Sequence, residues 1–402
     1  MSGYELLKRY ATIFSFISVV FATKANALHQ FGLIADIEAR SKESRMSYQN
    51  FITFEQNWSS GSSKFVGQLR IFEYYKRMEE ADYFIHEIFP AEFIFETNFS
   101  SQRLTIGYQN IFLSEGFNLI DTEVFHAKNN EVSIFNSTEK LYYTTPGLNY
   151  KYFGENISLQ LGVFKAERFE RLSYYQKKMV LNMTPGLIEP DYRNSSNDVD
   201  QLAKLIGTVG AVDWSLYTSK TQEKRPTFQL DLTRNQVVRV ANPFRSYGVG
   251  FSSLLGSAVL RLDYQKNIER TFLNGVNQIV NSDQDNYNFG IEQTFGANTR
   301  VNLIYGSSKL REKLDLPMRE DEMNDVFLNV NYKINDRISV DVSAFDRIAT
   351  QTNGQHISMN SKIRENIEVK YGFESLWTGI KSKVPFLNEE DRVFVNVKGT
   401  VF

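Results

Sequence analysis

The chain has 402 residues, room for two average soluble domains or for one large β-barrel. Apolar residues make up 42% and charged residues 23%, and with a mean hydropathy of −0.36 this excludes a bundle of membrane-spanning helices. The absence of cysteine excludes disulfides, thiolate metal sites, cysteine nucleophiles and a lipidated N-terminal cysteine, and 45 basic against 47 acidic residues leave no nucleic-acid footprint. One feature is out of proportion: 32 Phe, 21 Tyr and 3 Trp bring the aromatics to 14% of the chain. A polar average, many aromatics and no long apolar run are the marks of a transmembrane β-barrel, whose strands are apolar on one face only.

In chain order, the first element is an export signal. Lys8 and Arg9 supply a basic flank, residues 11–22 are apolar, and Ala25-Asn26-Ala27 is a small-x-small site, so cleavage is expected after Ala27. The apolar stretch is shorter than the roughly 20 residues a spanning helix needs. Residues 28–402 then read as one barrel domain.

Period-two alternation recurs along this whole stretch. Phe31, Leu33, Ala35 and Ile37 oppose Asp36, Glu38 and Arg40. Phe65, Gly67, Leu69 and Ile71 oppose Gln68 and Arg70; Phe89, Ala91, Phe93 and Phe95 oppose Glu92 and Glu96; Leu104, Ile106 and Tyr108 oppose Arg103 and Thr105. The same pattern returns at Ile157–Val163, Phe228–Leu232, Leu260–Tyr264, Ile338–Ala344 and Ile367–Phe373. No segment is decisive alone, because barrel strands carry a weak signal each.

The connections sort by length. Short polar links fall at about 58–63, 98–102, 154–156, 219–226, 255–257, 296–299 and 334–336. Longer polar segments at about 76–87, 110–147, 165–203, 234–245, 265–286, 307–325 and 348–362 alternate with them. An up-and-down barrel with tight periplasmic turns and long extracellular loops sorts its connections this way, whereas a Greek-key sandwich does not. Counting gives 15 strands up to Arg347, and the stretch from Ser361 to Phe402 holds one more or three (363–373, 376–386 and 392–402), so the expected number is 16 or 18. The fold class is therefore all-β, an antiparallel up-and-down transmembrane barrel.

Closure in lipid turns the apolar parity outward and the other parity into the lumen. The expected pore-lining set is Asp36, Glu38, Arg40, Arg70, Glu92, Glu96, Arg103, Asp213, Asp231, Arg261, Asp263, Glu292, Asp341, Glu368 and Lys370, with Lys398 beside them. Charges of both signs inside a membrane barrel imply a wet interior or paired partners. Tyr48, Trp58, Tyr108, Tyr152, Trp214, Tyr247, Tyr264, Tyr305 and Tyr371 are the expected interfacial aromatics. Of the four histidines, His29, His86, His126 and His356, none has metal-ligand spacing, so no metal and no cofactor is expected. His126 lies in a long loop segment near Ser114, Asp121 and Glu123 and reads as a solvated loop histidine rather than a hydrolase base. The acidic runs Asp198/Asp200, Asp283/Asp285 and Glu320–Asp325 read as solvated loop charge rather than cation sites.

As architecture over the whole of residues 28–402, the chain resembles the single-chain outer-membrane porins of Gram-negative bacteria. The segment Arg103-Leu-Thr-Ile-Gly-Tyr-Gln109, followed by Ser114-Glu-Gly-Phe117, looks like the strand and loop entry of some larger substrate-specific porins, and more loosely like alginate-export-type barrels. Chains of this class usually end in Phe, as here at Phe402, and in that family the terminal aromatic is read by the outer-membrane assembly machinery. Val393, Val395 and Val397 have the opposite parity to Phe402, so a bulge near Gly399 is expected to restore the register. The resemblance implies a passive, non-enzymatic channel for small hydrophilic or charged solutes, in contact with outer-membrane lipid and lipopolysaccharide, with a homo-oligomer left open. An anchor barrel for a partner protein is the second expectation, and a barrel hydrolase the third. One of the two longest loops, 110–147 or 165–203, is expected to fold inward and narrow the passage.

Overall fold

A computed structural model describes residues 28–42, 45–76, 83–113, 125–127, 143–166, 199–224, 227–231, 236–274, 278–312, 314, 321–348, 352–377 and 392–401. The export segment, 1–27, and Phe402 lie outside them. So do Ser114, Asp121, Glu123, Asp198 and Glu320. No helix of the described residues is long and apolar enough to cross a membrane.

Among the described residues twenty strands follow one another. In the first half, β1 is Leu28–Lys42, β2 Arg45–Ser60, β3 Ser63–Lys76, β4 Tyr83–Phe99, β5 Gln102–Gln109, β6 Thr145–Phe153, β7 Ile157–Lys165, β8 Val199–Val209 and β9 Val212–Gln222. Two short strands come next, β10 Thr227–Asp231 and β11 Gln236–Val240. The second half has β12 Pro243–Leu255, β13 Ala258–Leu273, β14 Ile279–Phe295, β15 Thr299–Leu310, β16 Glu322–Asn335, β17 Ile338–Arg347, β18 Thr352–Arg364, β19 Ile367–Trp377 and β20 Arg392–Val401. Apart from the separate β10–β11 hairpin, 18 strands form one sheet. Each pairs antiparallel with its chain neighbour, β9 pairs with β12, and β20 returns to pair with β1, from Leu33 opposite Val401 to Ser41 opposite Val393. The sheet has no free edge, which is the condition for an antiparallel sheet to live in lipid.

The two faces divide by chemistry. Phe93, Phe95, Ile106, Leu161, Val163, Leu205, Leu216, Leu262, Phe289, Leu303, Val342, Ile357 and Phe373 are exposed on the outer face. The alternate residues, such as Thr105, Asn149, Gln160, Asn267, Gln284, Asn302 and Ser343, are buried on the inner one. Described members of the expected aromatic set, from Trp58 to Tyr371, share the outer parity.

Tight turns close one end. The link between β8 and β9 is Gly210-Ala211, with Gly210 at φ 61, a left-handed conformation that a side chain disfavours. A Cβ there would meet nothing, so the backbone alone demands the glycine. Glycines at 61, 256 and 296 turn with φ between 56 and 63.

The structure corrects the sequence reading in several places. The tight turn is at 210–211, not 219–226, because β9 runs on to Gln222. Phe228, Leu230 and Asp231 belong to the β10–β11 hairpin, so Asp231 is not in the barrel wall. The long segment at 265–286 is mostly strand, since β13 and β14 extend far into it, and β15 and β16 take the two ends of the segment at 307–325. Residues 352–362, read as loop, belong to β18, and of the expected strand 376–386 only 376–377 are described, as the end of β19, while the rest lies outside the described residues. β4 carries a bulge at Ala91: Gln68 faces Glu92, but Leu69 faces Pro90. The parity flips there, so Phe89 shares the inner face with Arg70 while Phe93 faces outward. The register of β20 is unbroken through Gly399 against both β19 and β1, so no bulge occurs there.

Candidate functional site: the inner wall and the inward segment

The long connection between β5 and β6 supplies the first part of the site. β5 ends just past Gly107, whose φ of 127 and contact with the β4 backbone leave no room for a Cβ: it would sit 1.9 Å from the Phe93 carbonyl oxygen. Beyond that kink the described parts of the connection lie against the inner wall. Ile111, Leu113 and Phe125 pack on Phe164, Leu202, Tyr217 and Phe244 of β7, β8, β9 and β12. Ala127 and Tyr143 pack on Phe72, Tyr74, Ile85 and Phe89 of β3 and β4. Phe125 meets the Phe164 ring edge-on at 5.6 Å, and Gly147 and Gly162 leave the space that ring fills.

Polar latches fix the same segment. His126 is 1% exposed, not solvated as the sequence suggested. Its Nε2 accepts the Ile111 amide at 2.7 Å, and its Nδ1 lies 2.9 Å from the Tyr143 carbonyl oxygen. The accepting Nε2 assigns the proton to Nδ1. Burial holds this imidazole down at about 4, with Lys224 acting in the same direction. Lys204 of β8 donates to the Leu113 carbonyl at 2.8 Å, and the Tyr143 hydroxyl donates to Glu87 at 2.9 Å.

Charges on the inner face near the same level come in pairs. Asp200 is fully buried rather than solvated. It bonds Lys224 and accepts from the Thr221 hydroxyl and the Gln222 amide. Glu223 holds Arg270, whose guanidinium lies 5.2 Å from the Phe244 ring centroid. Asp325, also fully buried, takes both arms of Arg347 at 2.8 and 2.6 Å. Asp283 and Asp285 are not loop residues: they lie on β14 with outward parity, Asp285 bonded to the Tyr264 hydroxyl at 2.6 Å.

The expected site residues are placed as follows. Arg70 is buried, its Nε donating to the Thr53 hydroxyl at 3.3 Å. Glu92 and Glu96 share the inner parity of β4, and Glu96 lies 3.6 Å from Arg103. Asp213 accepts from the Thr208 hydroxyl at 2.7 Å beside the 210–211 turn. Arg261, Glu292 and Arg300 form one cluster, with Glu292 3.4 Å from the first and 2.7 Å from the second arginine. Asp263 is buried opposite Gly250 and Asn288. Asp341 accepts from Asn331 at 2.6 Å, Glu368 accepts from Asn360, and Lys370 stands opposite Asn360 and Asn396. For Asp36, Glu38 and Arg40 only the backbone is described. Register sets Asp36 opposite Lys398, Glu38 opposite Asn396 and Arg40 opposite Phe394.

Between these charges runs an amide ladder. Ser246 donates to Asn267, Asn267 to Gln284, and Gln284 to Ser308, at 2.6, 3.3 and 2.6 Å. His356 of β18 joins Glu374 at 3.0 Å and Ser358 at 2.9 Å. That is the connectivity of nucleophile, base and orienting carboxylate, but Ser358 is only 1% exposed and offers a substrate no face. The three residues instead satisfy a buried imidazole that stacks on Phe394 at 5.4 Å.

An 18-stranded up-and-down barrel with an apolar exterior, a polar inner wall and an inward-folded connection after β5 is a porin-type barrel. Solved structures of outer-membrane porins share this fold. OccK7 (OpdD) of Pseudomonas aeruginosa superposes with a TM-score of 0.56 at 10% identity, covering 94% of this chain and 99% of its own. OccAB3 of Acinetobacter baumannii gives 0.55 at 10% identity over 94% and 100%. OccD3 (OpdP) of P. aeruginosa gives 0.54 at 11% over 92% and 91%. No protein-family model and no curated protein matches the chain.

Proposed function

We propose that this protein is a passive channel of a Gram-negative outer membrane, admitting small hydrophilic or charged solutes. The observation that carries the reading is the division of faces: an 18-strand wall apolar outside and amide-rich and ionic inside. Barrels of that strand number leave an aqueous passage, and here the segment anchored by His126, Lys204 and Phe125 narrows it. The fold shared with outer-membrane porins supports the same reading. The route to the membrane is export with cleavage after Ala27, followed by insertion through the C-terminal strand ending in Phe402. In this reading Arg70, Glu92, Glu96, Arg103, Asp213, Arg261, Asp263, Glu292, Asp341, Glu368 and Lys370, with Asp36, Glu38 and Arg40, face the solute path.

The complete burial of Gln265, Gln284 and Asn286 favours a second reading, an anchor barrel whose lumen is filled at that level. Planar-bilayer recording separates the two. The channel reading expects discrete conductance steps from folded protein; a folded barrel that never conducts supports the anchor.

A further inference from the structure

The outer face carries a charged belt at the end away from the tight turns. Across β13 to β16 one register row reads Lys266, Asp285, Lys309, Glu322, so cation and carboxylate alternate. One step higher, Asp283 lies 3.7 Å from both Lys266 and Arg311. This sector neutralises itself.

The sector beside it does not. Lys220 of β9 and Arg245 of β12 stand directly opposite each other, both exposed and both outward. No ion pair or hydrogen bond joins either of them to a carboxylate among the described residues. Like charges directly opposite across a ladder are destabilising, so the fold bears a cost that a bound anion would remove.

The height of the pair narrows the choice of anion. Tyr247 follows Arg245 by two residues on the same face, about 7 Å nearer the membrane centre, at the level where aromatic girdles mark the interface. Below it the same face continues into Leu216 and Phe251, exposed and apolar. The surface thus offers two cations just above an interfacial tyrosine and an apolar wall below. That is the profile of an amphiphile with an anionic sugar-phosphate head and acyl chains.

We propose that Lys220 and Arg245 form a binding site for the phosphate of an outer-leaflet glycolipid of the lipid A type, with its acyl chains lying on Leu216 and Phe251. The site rests on the outer-membrane reading and names the lipid that the barrel would hold there. Through charge-assisted hydrogen bonds the lipid phosphate cancels the repulsion between the two side chains.

The test uses the full-length, delipidated protein in detergent, with native mass spectrometry counting bound lipid. The probes are diphosphoryl lipid A, its dephosphorylated form and inorganic pyrophosphate. The expected result is that wild type retains diphosphoryl lipid A while the K220Q/R245Q variant binds it about tenfold to a hundredfold more weakly, the worth of one or two charge-assisted hydrogen bonds. The dephosphorylated lipid is expected to bind wild type as weakly as the phosphorylated lipid binds the variant. K220E, which gives Arg245 a carboxylate partner, is expected to abolish retention and to keep the heat-modifiable mobility of a folded barrel. Equal retention by wild type and variants, or equal binding of the dephosphorylated lipid, overturns the site. Pyrophosphate binding as tightly as the lipid overturns the lipid assignment. Conductance of the same preparations separates the two readings: loss of lipid binding with unchanged conductance leaves the channel standing, whereas a wild type that never conducts removes the channel whatever it binds.

Discussion

His126 sits at the point where one proton decides whether the inward segment stays docked. Its Nε2 accepts the Ile111 amide only while unprotonated, and burial holds its pKa at about 4 against 6.5 for an ordinary histidine. A group depressed in the folded state loses its stabilising effect as pH falls. The latch is at full strength above pH 6.5, weakens between 6.5 and 4, and by about pH 4 has given up roughly 3 kcal/mol. Protection of the Ile111 amide from hydrogen exchange is therefore expected to fall with acid in wild type and to lose that acid dependence in His126→Gln; a variant with the wild-type pH profile would show that another group titrates. Phe125 tests the apolar half of the latch. Phe→Ala in a packed core typically costs about 3–5 kcal/mol, so Phe125→Ala is expected to undock the segment from Phe164 and raise channel conductance with the barrel itself still folded. Neither residue was legible as a latch in the sequence. A histidine among polar loop residues reads as solvated, and only the return of the chain onto Leu202 and Tyr217 buries it.

At the scale of the strand, the bulge in β4 is the most testable feature. Cysteine replacing Phe93 is expected to react with a bilayer-soluble probe, and cysteine replacing Phe89 to be protected from it, although the two residues are an even number apart. Equal labelling by the bilayer probe would mean the bulge is absent. The chain has no native cysteine, so the readout has no background. The bulge escaped the sequence reading because Phe89, Ala91, Phe93 and Phe95 alternate without a break, and nothing in that pattern reveals that Ala91 is the extra residue. The alternation did locate the β3, β5, β7, β17 and β19 segments, where one face is apolar and the other polar over five or more residues. It failed where strands stay polar beyond the membrane: Lys266 to Leu273 and Ser282 to Asn286 continue β13 and β14 with little apolar content, so they read as loop and concealed Arg270. The hairpin holding Asp231 failed in the opposite sense, because Phe228 and Leu230 alternate like a barrel strand yet pair only with β11.

For the whole molecule, these local errors largely cancelled. A missed turn at 210–211 was offset by a hairpin counted as wall, and a missed β18 by a wall strand expected between β19 and β20, which pair directly with each other, so the expected number of 16 or 18 included the observed 18. Closure was legible because it follows from the recurrence of one period over the chain rather than from any boundary. The charge of the wall was legible only in part. Asp200, Glu223 and Asp325 each have a cation of their own and add nothing net. Without Asp231 the expected pore-lining set, with Lys398, still has nine acidic against six basic residues, Glu92 and Glu96 among them on one face of β4, so a modest cation preference is expected, shrinking in 1 M salt as the Debye length falls to about 3 Å. Changing both glutamates to Gln is expected to lower that preference without closing the channel, as read from reversal potentials in a salt gradient; a stability loss with unchanged selectivity would mean they serve only Arg103. The most direct test of the channel itself is single-channel recording of purified, heat-modifiable protein in a planar bilayer. The expected result is discrete, ohmic conductance steps, whereas folded protein that inserts and gives no steps would contradict an open passage through the barrel.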